Sequence, residues 1–341
     1  MTFESQVSRI IGQPMRCRSV AVTVAAIVLL AVPTAAQQNK KYVDASGKVR
    51  VALAKQPLSP NGPSKGPTTM AEGGIQKMLA GMGAVVRVDE ARLTPEQGIE
   101  YGGWKKLGWS LGHFADIVEK NERDGYFTVG LLATCPSMPG LVAGLQRSGP
   151  TPEAIRIGML WLDAHPDLNT PETTRSGSLG GMPVAVATGR ALHGMRMDAT
   201  LNPPLADRYI VMGGVRLTDP LEQHLLDTSG IEVLTVDDLR HMTPAVWEQL
   251  DRLNRITDKI YVHIDMDVLD PREVMGHGNK VPNGPSSEQL ATLFEAIFTR
   301  YEKASAIGFA TIPATDDDGL SIAAVNRMIT AAVRGVQARS R

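Results

Sequence analysis

A chain of 341 residues, 43% of them hydrophobic and with a formal charge of -1, has the length and apolar content for one large globular domain or two small ones. Near-neutral charge gives no basic footprint for nucleic acid or an anionic membrane surface. Neither is expected as a partner.

The first segment reads as a targeting signal. Arg16 and Arg18 precede an apolar run at 20–32, and Thr34-Ala35-Ala36 supplies the small residues a signal peptidase needs. Residues 1–36 are therefore expected to be a signal peptide, making the mature protein secreted or periplasmic, with no membrane contact after cleavage. The apolar run, about 13 residues, is short for a span, which needs roughly 20. Cleavage would leave Cys135 as the one cysteine, so no intramolecular disulfide can form. Residues 37–47 are polar and read as a linker to a domain at 48–341.

From there the chain alternates short apolar runs with helical patterns. Candidate strands fall at 49–53, 84–88, 127–132, 155–162, 209–212, 231–235, 260–264 and 306–310. Their apolar character is nearly continuous, as in buried parallel strands. Helical patterns occupy 68–82, 109–122, 220–226, 244–253, 288–301 after the Ser286-Ser287 cap, and 322–336. Alternation of this kind predicts a single α/β domain with helices on both faces of a mostly parallel sheet of about eight strands.

Two short runs carry the chemistry: Asp163-Ala-His165-Pro-Asp167, and His263-Ile-Asp265-Met-Asp267-Val-Leu-Asp270-Pro271. In extended backbone, residues i, i+2 and i+4 share a side. Each run follows a candidate strand, and ligands of open α/β sheets gather at carboxyl strand ends. Carboxylates facing one another in a crevice repel unless cations neutralise them. The pattern points to a dinuclear metal site; capping and turn carboxylates are the plainer reading.

These residues resemble two signature motifs of the arginase/agmatinase (ureohydrolase) superfamily. Similar stretches occur at Gly62-Pro63 through Gly74-Ile75, at Ser176-Gly177, at Asn283-Gly284-Pro285 and at Ile312-Pro313 with Asp316. The resemblance implies a three-layer α/β/α fold and a homo-oligomer, trimer or hexamer. It also implies two divalent metal ions, usually manganese, that activate a shared hydroxide to cleave a C-N bond of a small-molecule guanidino compound. By the same resemblance Asp163 and Asp265 bridge the metals, Asp167 completes the first site, and His165 with Asp267 the second.

The remaining family ligand, a histidine, falls at Cys135. That residue is either a thiolate ligand or a small buried hydrophobe. A thiolate would favour zinc, iron or another softer ion over manganese. Two further positions depart from the family: Gly180 stands where a proton-transferring histidine is expected, and Ala310 where a glutamate pairs with guanidinium. Ordinary arginine or agmatine hydrolysis is therefore not the expected reaction. An amidine, a formimino compound, a modified guanidine or an amide fits better.

Candidate substrate contacts are Asn169, Ser176 and Ser178, which could equally be turn formers. Candidate catalytic residues are Asp270 and His277; the latter, between Gly276 and Gly278, could close over the crevice as acid or base, or be an exposed loop histidine. His263 is either a support for the ligands or a packed histidine. The Asp316-Asp317-Asp318 run could supply a lost cation partner or be a solvated turn. The expected function is a metal-dependent hydrolase of C-N bonds other than peptide bonds; the alternative is an impaired arginase-fold protein that binds a metal or ligand without turnover.

Overall fold

The eight apolar runs pair as one parallel sheet in the computed structural model, which describes residues 41–340 except 101, 152, 153, 314, 315 and 317. The expected signal peptide lies outside the described residues. In chain order the strands are β1 (Arg50–Gln56), β2 (Val85–Glu90), β3 (Phe127–Leu132), β4 (Ile157–Leu162), β5 (Ile210–Gly213), β6 (Glu232–Leu234), β7 (Lys259–Asp265) and β8 (Ala304–Ala310). Across the sheet they run β2-β1-β3-β8-β7-β4-β5-β6. A small antiparallel pair, Leu58–Ser59 with Gly62–Pro63, lies outside the sheet.

β3, β4, β5, β7 and β8 are buried along their whole length. That explains why they read as continuous apolar runs: both faces are covered. One face packs Trp161, Tyr261 and Ala306 against α1 (Gly103–Arg123) and α2 (Met138–Arg147). The other packs Leu160, Val262 and Ile307 against α3 (Pro244–Ile256), α4 (Ser287–Arg300) and α5 (Leu320–Arg339). The layers are therefore α/β/α.

The structure departs from the expected elements in three places. The helix read at 68–82 is interrupted, because Gly73 leaves helical backbone angles and Gly74 takes a φ of 93°. The Asn326 side chain donates to the Gly73 carbonyl at 2.7 Å, occupying an acceptor that the interruption frees. α2 was not among the expected helices. Its glycines permit close packing on α1: a Cβ at Gly140 would lie 2.7 Å from the Leu111 carbonyl oxygen. Residues 41–44 also belong to the domain rather than to a linker, because Tyr42 is 3% exposed and its hydroxyl donates to Glu122 at 2.9 Å.

Glu122 ties the base of the fold together, opposite the edge where the strands end. Its carboxylate accepts from Lys41 Nζ and from Lys259 Nζ, each at 2.6 Å. Burial works against the charged carboxyl, yet Lys41 and Lys259 hold its pKa below the ordinary value. Lys259, the first residue of β7, is buried, 9% exposed, and also donates to Ser148 Oγ. Glu122→Ala is therefore expected to lower the unfolding free energy by about 3–5 kcal/mol, the usual cost of leaving a buried partner unpaired. Urea denaturation measures this; an unchanged midpoint would contradict it.

Candidate metal centre

β4 and β7 are neighbours, with Leu162 opposite Ile264 and β8 setting Ala310 opposite Asp265. The next residue on β4 is Asp163, so both acidic runs leave the sheet at the same edge. The 3-10 turn Cys135–Ser137 follows β3 at that edge too. Together they floor a crevice of about 570 Å³, walled by Cys135, Asp163, His165, Asp167, Asp265 and Asp267. No lysine or arginine is among the described residues that line it.

Three groups of side chains could each hold a cation, their ligand atoms lying within 4.8 Å of one another: Cys135 with Asp163 and Asp265; Asp163 with His165 and Asp267; and Asp265 with Asp267 and His277. Asp163, Asp265 and Asp267 each belong to two of these groups, so the groups share carboxylates. Asp167 lines the crevice beside them, outside these groups. Its φ of 49° lies in the left-handed region, as does the 62° of Thr311. For a β-branched threonine that conformation is costly, and such strain concentrates at functional sites.

The electrostatics fit cations. Burial first, and then Asp267 with the other carboxylates, pushes Asp163 well above the usual carboxyl range; burial and Asp265 do the same to Asp167. Burial also raises the Cys135 thiol, and Asp265 and Asp163 raise it further. Burial opposes charge on His165, but its contacts with Asp163 and Asp267 prevail and lift it to about 11. Bound cations would relieve this repulsion and let the carboxyls and thiol ionise.

Cys135 is held on several sides. Its Sγ lies 2.8 Å from Asp265 Oδ2, 3.2 Å from His263 Nε2 and 3.9 Å from Asp163 Oδ2. Thr311 Oγ1 donates to Asp265 Oδ2 at 2.7 Å and sits 3.8 Å from the sulfur. His263 is fully buried, stacked on Trp161 with centroids 4.0 Å apart, and burial lowers it to about 3. It is thus a neutral imidazole that both packs and touches the candidate ligand.

Two expected catalytic residues are placed elsewhere. Asp270 does not line the crevice: its carboxylate accepts from the Arg272 backbone at 3.0 Å and from the Arg272 guanidinium at 2.8 Å. The alternation that aligned Asp265 with Asp267 stops in the 3-10 turn Met266–Val268, which turns Asp270 away. His277 neither closes over the crevice nor stays exposed. It is 4% exposed, with Nε2 at 3.5 Å from Asp265 Oδ1 and Nδ1 accepting from the Asn279 amide at 3.1 Å. With Nδ1 occupied as an acceptor, Nε2 is the ring atom turned toward Asp265, and it has no hydrogen-bond partner among the described residues.

Asn169, Ser176 and Ser178 line the crevice. Both serines are also turn formers: Ser178 Oγ accepts from Gly180 and Ser176 Oγ from Ser178. Gly180 is in the wall, and Ala310 is buried beneath it. The acidic triplet supplies no crevice carboxylate among the described residues, since Asp316 takes the amides of Ser321 and Ile322 at the start of α5. Asp317 lies outside the described residues.

Sequence reasoning missed Asp219, Glu222, Thr311 and Trp104, all in the wall. Glu222 accepts the Leu168 and Asp219 amides and is a brace. Asp219, half-buried, has Asn169 Nδ2 at 3.4 Å and no ion pair among the described residues. The signal for Asp219 was available: it follows β5, the neighbour of β4, on the same edge and begins a helix at Pro220.

Comparison with known proteins agrees with this geometry. The model of the Arginase family matches residues 137–334. The arginase of Entamoeba histolytica is 34% identical over 152 residues, which are 44% of this chain and 49% of that protein. Arginase-1 of Rattus norvegicus is 28% identical over 251 residues, 70% of this chain and 75% of that protein. The chain thus spans about half the length of the first curated relatives it matches. Among solved structures, the arginase from Bacillus subtilis superposes with a TM-score of 0.73 at 22% identity, covering 84% of this chain and 98% of that one. The formimidoylglutamase from the same organism does so at 0.64 and 16%, covering 84% and 87%. The similarity runs through both acidic runs and all of the sheet from β4 onward, and the chain belongs to the arginase family.

Proposed function

We propose that the protein is a metal-dependent hydrolase that cleaves a C-N bond in a small molecule carrying an ammonium group and an uncharged or weakly basic scissile group. The observation that carries this reading is the convergence of Asp163, His165, Asp167, Asp265, Asp267 and Cys135 on one crevice. Those residues would hold two divalent ions, manganese by family resemblance, with a softer ion such as zinc or iron at the Cys135 site. Bound there, the ions would make a coordinated water acidic enough to act as a nucleophile near neutral pH.

The chain's own residues do the rest. Asp219 offers the crevice a carboxylate without a cation partner, and Asn169 orients it; a substrate ammonium satisfies it. β8 ends at the buried Ala310, Thr311 follows it in the wall, and among the described residues lining the crevice the carboxylates other than Asp219 and Glu222 belong to the candidate ligand set. A guanidinium placed there would lack a free carboxylate, as would a protonated amidine or formimino group, whereas a neutral amide avoids that cost. His277 Nε2 lies 3.5 Å from Asp265 Oδ1, buried and without a hydrogen-bond partner among the described residues. Trp104 and Leu217 give the mouth an apolar lip.

The apolar run at 20–32 supports action outside the cytoplasm. Ala310 and Gly180 favour a second reading, a binding protein without turnover. The two are separated by screening metal-loaded protein against amide, formimino, amidino and guanidino compounds for release of ammonia, amine or urea. Turnover that a chelator abolishes and metal restores is expected; no release with any metal would contradict the hydrolase.

Two further outcomes follow from the same geometry. Asp219→Asn is expected to raise KM roughly tenfold while leaving kcat within about twofold, because the carboxylate binds ground and transition states alike; loss of kcat at constant KM would contradict that role. Burial and neighbouring carboxylates raise Asp163 and Asp167 above the usual carboxyl range without cations, so an ion competes with protons for them. Metal affinity should therefore weaken as pH falls. Calorimetry in buffers of different ionisation enthalpy should register proton release on binding, and its absence would refute the coupling.

A further inference from the structure

Behind the crevice, three side chains form a line that neither the metal ligands nor the substrate wall requires. The Tyr261 hydroxyl lies 2.7 Å from His263 Nδ1, and His263 Nε2 lies 3.2 Å from Cys135 Sγ. Tyr261 and His263 are both fully buried. Among the described residues the Tyr261 hydroxyl has no other hydrogen-bond partner, so its proton can be satisfied only at Nδ1. Nδ1 is then an acceptor, the ring proton sits on Nε2, and that proton points at sulfur. The opposite tautomer would leave the buried tyrosine O–H without an acceptor.

The surroundings are shaped for this line. Trp161 stacks on the imidazole with an interplanar angle of 5°, which fixes the ring plane. Gly308 lies opposite His263 in the β8–β7 register, and a Cβ there would overlap the Tyr261 hydroxyl. Glycine at 308 therefore makes room for the tyrosine to reach across the strand.

We infer that Tyr261 and His263 are positioning residues that fix Cys135 Sγ as a hydrogen-bond acceptor, so that it faces the centre as a metal-ligating thiolate with reduced electron donation. The inference rests on the metal-centre reading above. Sulfur that accepts a hydrogen bond is a weaker donor to a metal, as partners behind a ligand tune the ligand itself. His263 thereby moderates the softness that Cys135 brings to the site. An imidazole stands behind the sulfur and acts through it, without touching the ion.

The test is the charge-transfer absorption of the Co2+-loaded protein, read together with metal content on the same samples. The unsubstituted protein should show a thiolate-to-cobalt band that C135S removes. H263L should move the band to longer wavelength, because loss of the hydrogen bond raises the energy of the sulfur lone pairs. Y261F, which removes only the hydroxyl and guards against misfolding of H263L, should move it the same way by less. A band unmoved in both variants would overturn the relay. Two Co2+ per chain without any such band would also overturn it, while leaving the hydrolase reading intact; that reading fails separately, on absence of substrate turnover.

Discussion

The pairing of β4 with β7 sets the problem that the rest of the site must solve. It brings Asp163 and Asp265 to one edge of the sheet, and the turns that follow add Asp167 and Asp267. Two like charges 4 Å apart repel by about 4 kcal/mol at the effective dielectric typical near protein surfaces. Burial and neighbouring carboxylates raise Asp163 and Asp167 well above the usual carboxyl range, while contacts that include His277 lower Asp265 to about 2 despite its burial, so the repulsion falls unevenly on the cluster. A stable sheet, braced at its other end by Glu122 between two lysines, keeps these groups together against their repulsion.

Much of this was legible in the sequence for physical reasons. Strands buried on both faces carry near-continuous apolar runs, so all eight positions could be read, with ends displaced by a few residues. Asp163, His165, Asp167, Asp265 and Asp267 line one crevice because both runs leave the carboxyl ends of neighbouring strands; Asp163 to Asp167 lie beyond β4 and Asp267 in a turn, so strand-end position rather than alternation brings them together. What failed depended on contacts that local pattern does not encode. α2, not among the expected helices, carries glycines that permit close packing on α1. Asp270 seemed to extend the alternation, but a 3-10 turn ends it. His277 sat between glycines that suggested mobility, and it is instead buried against Asp265. Asp219 and Thr311 come from separate strand ends, and only the fold brings them to one wall.

Cys135 separates the two halves of the functional argument. The candidate ligands match the family pattern except at this sulfur, and Thr311, His263 and Asp265 surround it. Gly180 lies in the crevice wall and Ala310 is buried at the end of β8. In the proposed reading the candidate cation ligands and the residues that would meet the substrate, Asp219 above all, are different residues.

Anomalous diffraction from crystals of the metal-loaded protein tests the central claim most directly. Two peaks are expected between the ends of β4 and β7, bridged by Asp163 and Asp265, with one peak at bonding distance from Cys135 Sγ, about 2.3 Å for zinc. A single peak, or none, in the presence of saturating metal would contradict the account.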